Sequence, residues 1–355
     1  MEECAFVIEE SIFNDADQIA KVEDNLEVED NLEVEDNLEV EDDLEVEEHI
    51  PKIVFIVPYR DREKHHQLFS SHMKSYLDQH YSIYDGMESH LPSSTNALEK
   101  HDNPSKTQDQ TNIDDLSMND VKDLASFSDK TSANEVRESH KILYIHQTDT
   151  RGFNRGAMKN IGYCVVRDLY PNDYKNITLV FNDIDTMPSR DVVLNYETKP
   201  GTIKHFYGFN HTLGGIVSVN AYDFEQLNGF PNFWAWGYED NLFQIRAENA
   251  KIKIDRSIFY KIQDPKIIHL VDTPIREVNR VEFDRFLNRT SEGISSLREL
   301  TYKINDGNGF VDVITFETEI KEKLEARSNY DLRNGPVPFK PTPKQPRRPQ
   351  MKMMF

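Results

Sequence analysis

Short apolar runs rich in β-branched residues constrain the fold of this chain more than any other feature. They lie at residues 53–57, 142–145 and 177–181. Continuous apolar runs of this length are typical of strands buried on both faces of a parallel sheet. Between the last two runs, apolar residues follow helical spacing: Ala157, Ile161, Cys164, Val165 and Leu169. Strand, helix and strand in this order predict an α/β domain.

Later residues extend this pattern. Residues 216–219 predict another strand, and Asn220 is a favourable N-cap for a short helix over residues 221–227. A further helix is predicted to begin near Glu239. Cys164 is expected to be a buried free thiol inside its helix.

Strongly polar segments flank and interrupt the apolar runs. Residues 1–50 contain 21 acidic side chains and one Lys, and residues 22–45 are four near-copies of Val-Glu-Asp-Asn-Leu-Glu. A six-residue period gives a helix no apolar stripe, so we predict a disordered acidic region. Residues 82–138 are predicted to be a disordered insertion, and residues 331–355 a Pro-rich basic tail. One domain over residues 51–330 remains.

Charge and composition exclude several classes of protein. The formal charge of −22 opposes general binding of nucleic acid, whose phosphates require a basic surface. No apolar run approaches the ~18 residues of a membrane span, and the N-terminus is acidic where a signal peptide carries positive charge. With two cysteines in the whole chain, a reducing compartment fits. We therefore expect a cytoplasmic protein whose acidic region either keeps it soluble or binds a basic protein partner.

Two carboxylates directly follow the third apolar run. Asp183 and Asp185 stand at the carboxyl end of a predicted strand, where ligands bind in open α/β sheets. Such a pair can hold a hard divalent cation that also binds a diphosphate. The alternative is a pair of ordinary turn residues, because acidic side chains are common after strands.

Aromatic and acidic residues are concentrated in residues 229–241, which contain both tryptophans of the chain, Trp234 and Trp236. Aromatic faces beside a carboxylate match the apolar faces and hydroxyl groups of a sugar ring. The alternative is an aromatic core followed by an acidic first helical turn, Glu239 and Asp240, which the helix dipole favours. The concentration of these residues in one segment favours a sugar site.

Five blocks, in this order, resemble the beta-1,4-galactosyltransferase family. They are residues 57–62, 153–155, 183–185, 214–215 and 229–240. The resemblance spans about residues 52–80 and 140–316. It implies a GT-A fold, a Rossmann-like nucleotide-sugar-binding domain with a mixed, mostly parallel sheet flanked by helices. It also implies inverting transfer of a hexose from a UDP-sugar to an acceptor hydroxyl.

The resemblance implies which residues bind the UDP-sugar donor and which bind the metal ion. Four residues match the family's uridine and diphosphate pocket: Arg60, Arg62, Phe153 and Arg155. Asp183 matches the family's contact with the uridine ribose, and Trp236 lies on its mobile lid. Asp185 and His269 match the ligands of the family's metal ion, which is usually manganese.

The chain departs from the family at two points. Family members usually supply a third metal ligand where this chain has Lys266 or Val271, and a lysine there would bring positive charge close to the ion. Thr212 replaces a tyrosine that crowds the sugar's 2-position in the galactose-transferring members. The smaller side chain makes N-acetylgalactosamine a credible donor.

The resemblance also assigns catalytic and acceptor residues. Asp240 matches the general base, which takes the proton of the attacking hydroxyl, and Glu239 is expected to hold neighbouring groups or sugar hydroxyls. Asn241 and Phe283 are expected on the acceptor side. We predict a manganese-dependent transferase that uses UDP-galactose or UDP-N-acetylgalactosamine and a glycan acceptor. The alternatives are a chondroitin-polymerase-like or polypeptide N-acetylgalactosaminyl-transferase-like enzyme, and a catalytically dead glycan-binding module.

Overall fold

The computed structural model describes residues 50–81, 139–305, 307–335 and 337–340. The predictions for the acidic region up to residue 49, for the insertion and for the basic tail beyond residue 340 lie outside the described residues. The domain boundaries drawn from the sequence therefore stay predictions. Of the helices that the described residues form, none combines the length and the apolar character that a bilayer crossing requires.

The elements follow one another along the chain as strands and helices. The described strands are β1 Ile53–Tyr59, β2 His140–Gln147, β3 Thr178–Asn182, β4 Thr186–Pro188, β5 Thr202–Gly208, β6 Ile216–Asn220, β7 Lys253–Asp255, β8 Tyr260–Lys261, β9 Ile267–His269, β10 Ile275–Asn279, β11 Arg298–Asn305, β12 Phe310–Glu317 and β13 Arg327–Asp331. The described α-helices are α1 Glu63–Tyr81, α2 Arg155–Leu169, α3 Ala221–Gln226, α4 Glu239–Asn249 and α5 Arg280–Leu287. The strands and helices predicted from the apolar patterns are all present.

Nine strands form one sheet, in the spatial order β11-β12-β2-β1-β3-β6-β5-β7 with β8 paired to β5. β1 is parallel to β2 and β3, β12 is parallel to β2, and β5 is parallel to β7 and β8. The pairs β11–β12, β3–β6 and β5–β6 are antiparallel. The prediction of a mixed, mostly parallel sheet flanked by helices is confirmed.

β1 lies inside the sheet and is buried on both faces. Val54 and Ile56 belong to the core cluster that contains the apolar face of α2, whereas Phe55 and Val57 belong to the cluster that contains α1. All four side chains are fully buried. Because burial of such a side chain contributes roughly 1.5–3 kcal/mol, the sheet is held firmly between helical layers.

Helix α2 is fixed at two points. Asn154 caps its start, since the side chain accepts a hydrogen bond from the backbone N–H of Ala157 at 2.9 Å. Near its middle the helix packs so closely on β1 that a Cβ at Gly162 would lie 2.4 Å from Cγ2 of Ile56. These contacts determine where Arg155, the first residue of the helix, stands.

Short antiparallel pairs complete the region around the sheet edge. β4 pairs with β9 and places Thr186 opposite His269. The backbone N–H of Leu270 also donates to the carbonyl of Asp185 at 2.8 Å. The segment that follows β3 is thereby joined to the segment that carries His269, although the two are distant in sequence.

Candidate active site

A cavity of about 320 Å³ opens at the carboxyl ends of β1 and β3. Seven residues predicted to bind the donor or the metal line it: Arg60, Arg62, Phe153, Arg155, Asp183, Asp185 and Trp236. Three charged residues that sequence reasoning did not single out line it as well: Asp272, Arg276 and Glu277. The fold therefore gathers these residues from separate stretches of the chain around one space, whereas Thr212 and His269 are not among the residues that line it.

Arg155 links three acidic residues at the edge of this cavity. Its Nη2 donates to Oδ1 of Asp183, and its Nη1 donates to Oε1 of Glu239 at 2.7 Å. The same Nη1 lies 3.9 Å from Oδ2 of Asp240. Because Asp183 follows β3 and Glu239 begins α4, one guanidinium connects the sheet edge with the starts of two helices.

Asp240, the predicted general base, has a second cationic neighbour. Nζ of Lys159 donates to Oδ1 of Asp240 at 2.6 Å. Gly214 closes another side of the carboxylate, since a Cβ there would lie 2.3 Å from its Oδ2. Sequence reasoning missed Lys159. The signal that would have found it is its spacing, four residues after Arg155 on the same face of α2.

Asp185 and His269, the predicted metal ligands, face one another. Oδ2 of Asp185 lies 4.0 Å from Nε2 of His269. The hydroxyl of Tyr207 is 2.9 Å from Nδ1 of the same imidazole, which leaves Nε2 free to face Asp185. Bonds of about 2.0–2.2 Å from a divalent ion to a carboxylate oxygen and an imidazole nitrogen span at most about 4.4 Å together. The two side chains therefore fit one ion between them.

The side chain of Lys266 packs against Tyr260 instead of lining the cavity. Its Nζ lies 5.6 Å from the centre of the Tyr260 ring, and the expectation of a positive charge beside the ion stays a prediction. Val271 has no ligand atom in its side chain. Within the described ranges, no group of three or more His, Cys, Asp or Glu residues is arranged to hold a metal.

The carboxylates of the site differ in how easily they ionise. Burial and the neighbouring charge of Asp183 raise the pKa of Asp185. Burial also opposes ionisation of Asp183, but Arg155 and Lys159 outweigh it and hold the pKa of Asp183 below its ordinary value. Burial and the adjacent Asp240 raise the pKa of Glu239. A bound divalent cation would relieve the repulsion at Asp185.

Arginines give the opposite face of the site its positive charge. The guanidinium of Arg60 lies 5.3 Å from the centre of the Phe153 ring. Arg62 pairs with Asp272 at 2.6 Å, and Arg276 lies 3.5 Å from the same carboxylate. Because a guanidinium binds phosphate oxygens through two N–H groups at once, this face suits a diphosphate.

The two tryptophans occupy different environments. Trp236 lines the cavity, and its backbone N–H donates to the carbonyl of Glu277 at 2.8 Å. Trp234 is buried and stacks on Phe316, with ring centres 5.6 Å apart. The aromatic segment is therefore partly core, and of its two tryptophans only Trp236 is placed to meet a ligand.

The backbone around Trp236 is strained. The angle φ is +100° at Ala235, +103° at Gly237 and +73° at Tyr238. For residues with a Cβ, such a conformation costs of order 1–3 kcal/mol each and is typical of ligand clamps and switch regions. The placement of Trp236 on a mobile lid stays a prediction.

The predicted acceptor and specificity residues separate in space. Asn241 follows Asp240 on α4, and its Nδ2 lies 3.5 Å from the carbonyl of His211. Thr212 is also near the base, because the backbone N–H of the next residue donates to the carbonyl of Asp240 at 3.1 Å. Phe283 is instead buried against Tyr238, with ring centres 5.0 Å apart.

Comparison with known proteins gives consistent matches. The model of the N-terminal domain of galactosyltransferase matches residues 202–270. Xylosylprotein 4-beta-galactosyltransferase of Caenorhabditis elegans is 29% identical over 185 residues, 47% of this chain and 61% of that protein. Beta-1,4-galactosyltransferase 7 of Drosophila melanogaster is 31% identical over 128 residues, 33% of this chain and 38% of that protein. The solved catalytic domain of Drosophila beta1,4galactosyltransferase 7 with xylobiose is 17% identical, with a TM-score of 0.47 over 77% of this chain and 96% of that chain.

The mixed sheet with its cavity at the strand ends defines a Rossmann-like α/β domain. The chain spans less than two thirds of the length of these two curated relatives. The family match at residues 202–270 includes Thr212, Asp240 and His269. Over part of its length the chain is similar to members of the beta-1,4-galactosyltransferase family, which confirms the resemblance predicted from the sequence.

Proposed function

We propose that this chain is a metal-assisted, inverting galactosyltransferase that moves galactose from UDP-galactose to a hydroxyl group of a glycan. The observation that carries the proposal is the single cavity that gathers the arginines with Asp183 and Asp185, and to which Arg155 joins Asp240. The names of the related proteins support galactose as the sugar.

The donor binds along the arginine face of the cavity. Arg60, Arg62 and Arg276 bind the diphosphate, because their guanidinium groups suit its paired oxygens. Phe153 stacks on the uracil ring, and Asp183 binds the ribose hydroxyls. Its link to Arg155 holds the Asp183 carboxylate in place for that contact.

Asp185 and His269 would hold a divalent ion, for which we propose manganese. When bound, the ion would stabilise the negative charge that develops on the departing UDP. Tyr207 orients the imidazole through Nδ1, as partners of metal-binding histidines do.

Asp240 takes the proton of the acceptor hydroxyl as its oxygen attacks the anomeric carbon. Oδ1 of Asp240 is bound by Lys159, whereas Oδ2 lies 3.9 Å from Arg155, so Oδ2 is the atom that receives the proton. Attack on the face opposite UDP inverts the anomeric centre. Glu239 holds Arg155 at 2.7 Å and keeps the guanidinium beside the base.

The experiment that tests the proposal is UDP release from a panel of UDP-sugars by the purified full chain, with and without manganese, with water, simple sugars or glycans as acceptor. We expect manganese-dependent release from UDP-galactose that increases with acceptor. Faster UDP release from UDP-N-acetylgalactosamine than from UDP-galactose would assign N-acetylgalactosamine as the donor sugar. Neither binding nor turnover of any donor would overturn the proposal in favour of a glycan-binding module.

Replacing the base tests the assignment within the same assay. Asp240→Asn should lower kcat by at least ~10²-fold, the usual scale for loss of a general base, while the affinity for UDP measured by calorimetry stays the same. Asp78→Asn, on an exposed position of α1, is the matched control and should keep full turnover. Unchanged turnover in the Asp240→Asn variant would remove Asp240 from this role.

A further inference from the structure

Lys159 lies in α2 with its side chain enclosed by protein. The residue is 2% exposed, and its Nζ lies 4.3 Å from the centre of the Phe230 ring as well as 2.6 Å from Oδ1 of Asp240. Lysine is almost never fully buried unless it is paired. Here its partner is the carboxylate that we assign as the base.

Charged groups face Asp240 from each neighbouring element. Helix α2 contributes Arg155 and Lys159, and α4 contributes the adjacent Glu239. From β5, His205 faces the same region, but burial and a neighbouring arginine lower its pKa to about 4, so it is neutral near pH 7. Two cations therefore compensate the Asp240 carboxylate, and Lys159 is the nearer one, at 2.6 Å against 3.9 Å.

We propose that Lys159 is a positioning residue of the transfer reaction, whose ammonium holds Oδ1 of Asp240 so that Oδ2 faces the acceptor hydroxyl. The inference rests on the proposed function. In that step the acceptor O–H bond breaks as its oxygen bonds to the anomeric carbon, and the proton passes to Oδ2. The UDP oxygen leaves with the electron pair of the glycosidic bond.

The orientation of the base matters because its oxygen must stay within hydrogen-bond reach of the acceptor. A misplacement of about 1 Å can cost about 10²-fold in rate. A purely structural ion pair would also explain the burial of Lys159, since loss of one partner leaves an unpaired buried charge. The two roles differ in the turnover of the folded variant, because loss of a purely structural lysine lowers stability and leaves the kcat of the folded protein unchanged.

The test compares Lys159→Met with Lys159→Arg, and with Lys74→Met on an exposed position of α1. Lys159→Met should lower kcat near neutral pH by about 10²-fold. KM for the UDP-sugar should not change, because Lys159 contacts the base and not the donor in the proposed reaction. The Lys159→Arg variant keeps a cation near Oδ1 and should recover most of the wild-type kcat, and Lys74→Met should keep all of it.

A folded Lys159→Met protein with the wild-type kcat would overturn the inference, whatever its Tm. Should that variant not fold, Lys159→Gln removes the ammonium but keeps a polar side chain, and the same fall in kcat at unchanged KM is expected of it. A wild-type kcat in folded Lys159→Gln would be equally decisive against the inference. Absence of transfer by the wild-type chain with every donor refutes the proposed function instead, so the two failures are distinguishable.

Discussion

Arg155 is one of two cations that neutralise a cluster of three carboxylates in the site. It contacts the carboxylates of Asp183, Glu239 and Asp240, and a neighbouring buried lysine adds the second cation. Three carboxylates thus meet two cations, while Asp185 adds further negative charge close by. Burial raises the pKa of Asp185 and of Glu239, and the excess of negative charge from neighbouring carboxylates raises both pKa values further. It also favours a divalent cation at the site.

Thr212 gives a prediction about the donor sugar. Its side chain is half-buried beside the turn that contacts Asp240, and its hydroxyl donates to the carbonyl of Phe209 at 3.4 Å. Thr212→Tyr should narrow the space for an acetamido group and shift the ratio of kcat/KM values from UDP-N-acetylgalactosamine towards UDP-galactose. Thr212→Ser keeps the small size and is the control. An identical ratio in the tyrosine variant would remove the specificity argument.

Sequence reasoning found site residues where they lie next to a strand or helix that the apolar pattern predicts. Asp183 and Asp185 were predicted because a buried strand ends directly before them. Lys159 was not, because the apolar spacing around it indicates a core face and does not say which carboxylate lies opposite. Arg276 was missed because it lies on β10, whose pairing with β13 no local pattern indicates. Trp234 was placed at the sugar site on composition alone, and its burial in the core could not be read from the segment.

Among the elements, predictability follows the apolar pattern and not the length. The strands β1, β2 and β3 contain continuous apolar runs and the helix α2 has helical apolar spacing, whereas α1, with 19 residues, was not predicted. β4 and β9 have three residues each, too few for any pattern. Yet their pairing brings His269 close to Asp185. The proposed metal site therefore depends on two strands, β4 and β9, that the sequence pattern does not predict.

The packing of α2 on β1 gives a prediction at this scale. Gly162→Ala should lower the free energy of unfolding by about 1–3 kcal/mol, because the added Cβ overlaps Cγ2 of Ile56 in a filled core. Chemical denaturation followed by circular dichroism measures it. The control is Gly307→Ala, where the nearest atom to a Cβ is 3.8 Å away. Equal stability of the two variants would show that the helix moves freely on the sheet.

In the whole molecule, the segment that carries most of the net negative charge is separate in sequence from the residues assigned to the site. Residues 1–50 carry 21 acidic side chains and one Lys, whereas every residue assigned to the site lies between Arg60 and Phe283. The site therefore draws on local charges, and the net charge of −22 describes mainly the acidic region.

This division predicts the effect of a truncation. A variant that begins at Ile50 should keep the kcat and KM of the full chain for donor and acceptor, because the first strand of the sheet begins at Ile53. Turnover of both proteins at low and moderate salt is the measurement, and the full chain is the control. Loss of transfer on truncation would show that the acidic region takes part in catalysis.

The position of β1 also governs the order in which the chain acquires its structure. Ile53 pairs with His140 on one side and with Thr178 on the other, so both edges of this apolar strand are paired only after both later segments have left the ribosome. Pairing between distant segments is slow because loop closure precedes any gain from contact. The nascent chain therefore exposes its most apolar strand throughout that interval, and residues 53–57 are where a chaperone would bind first.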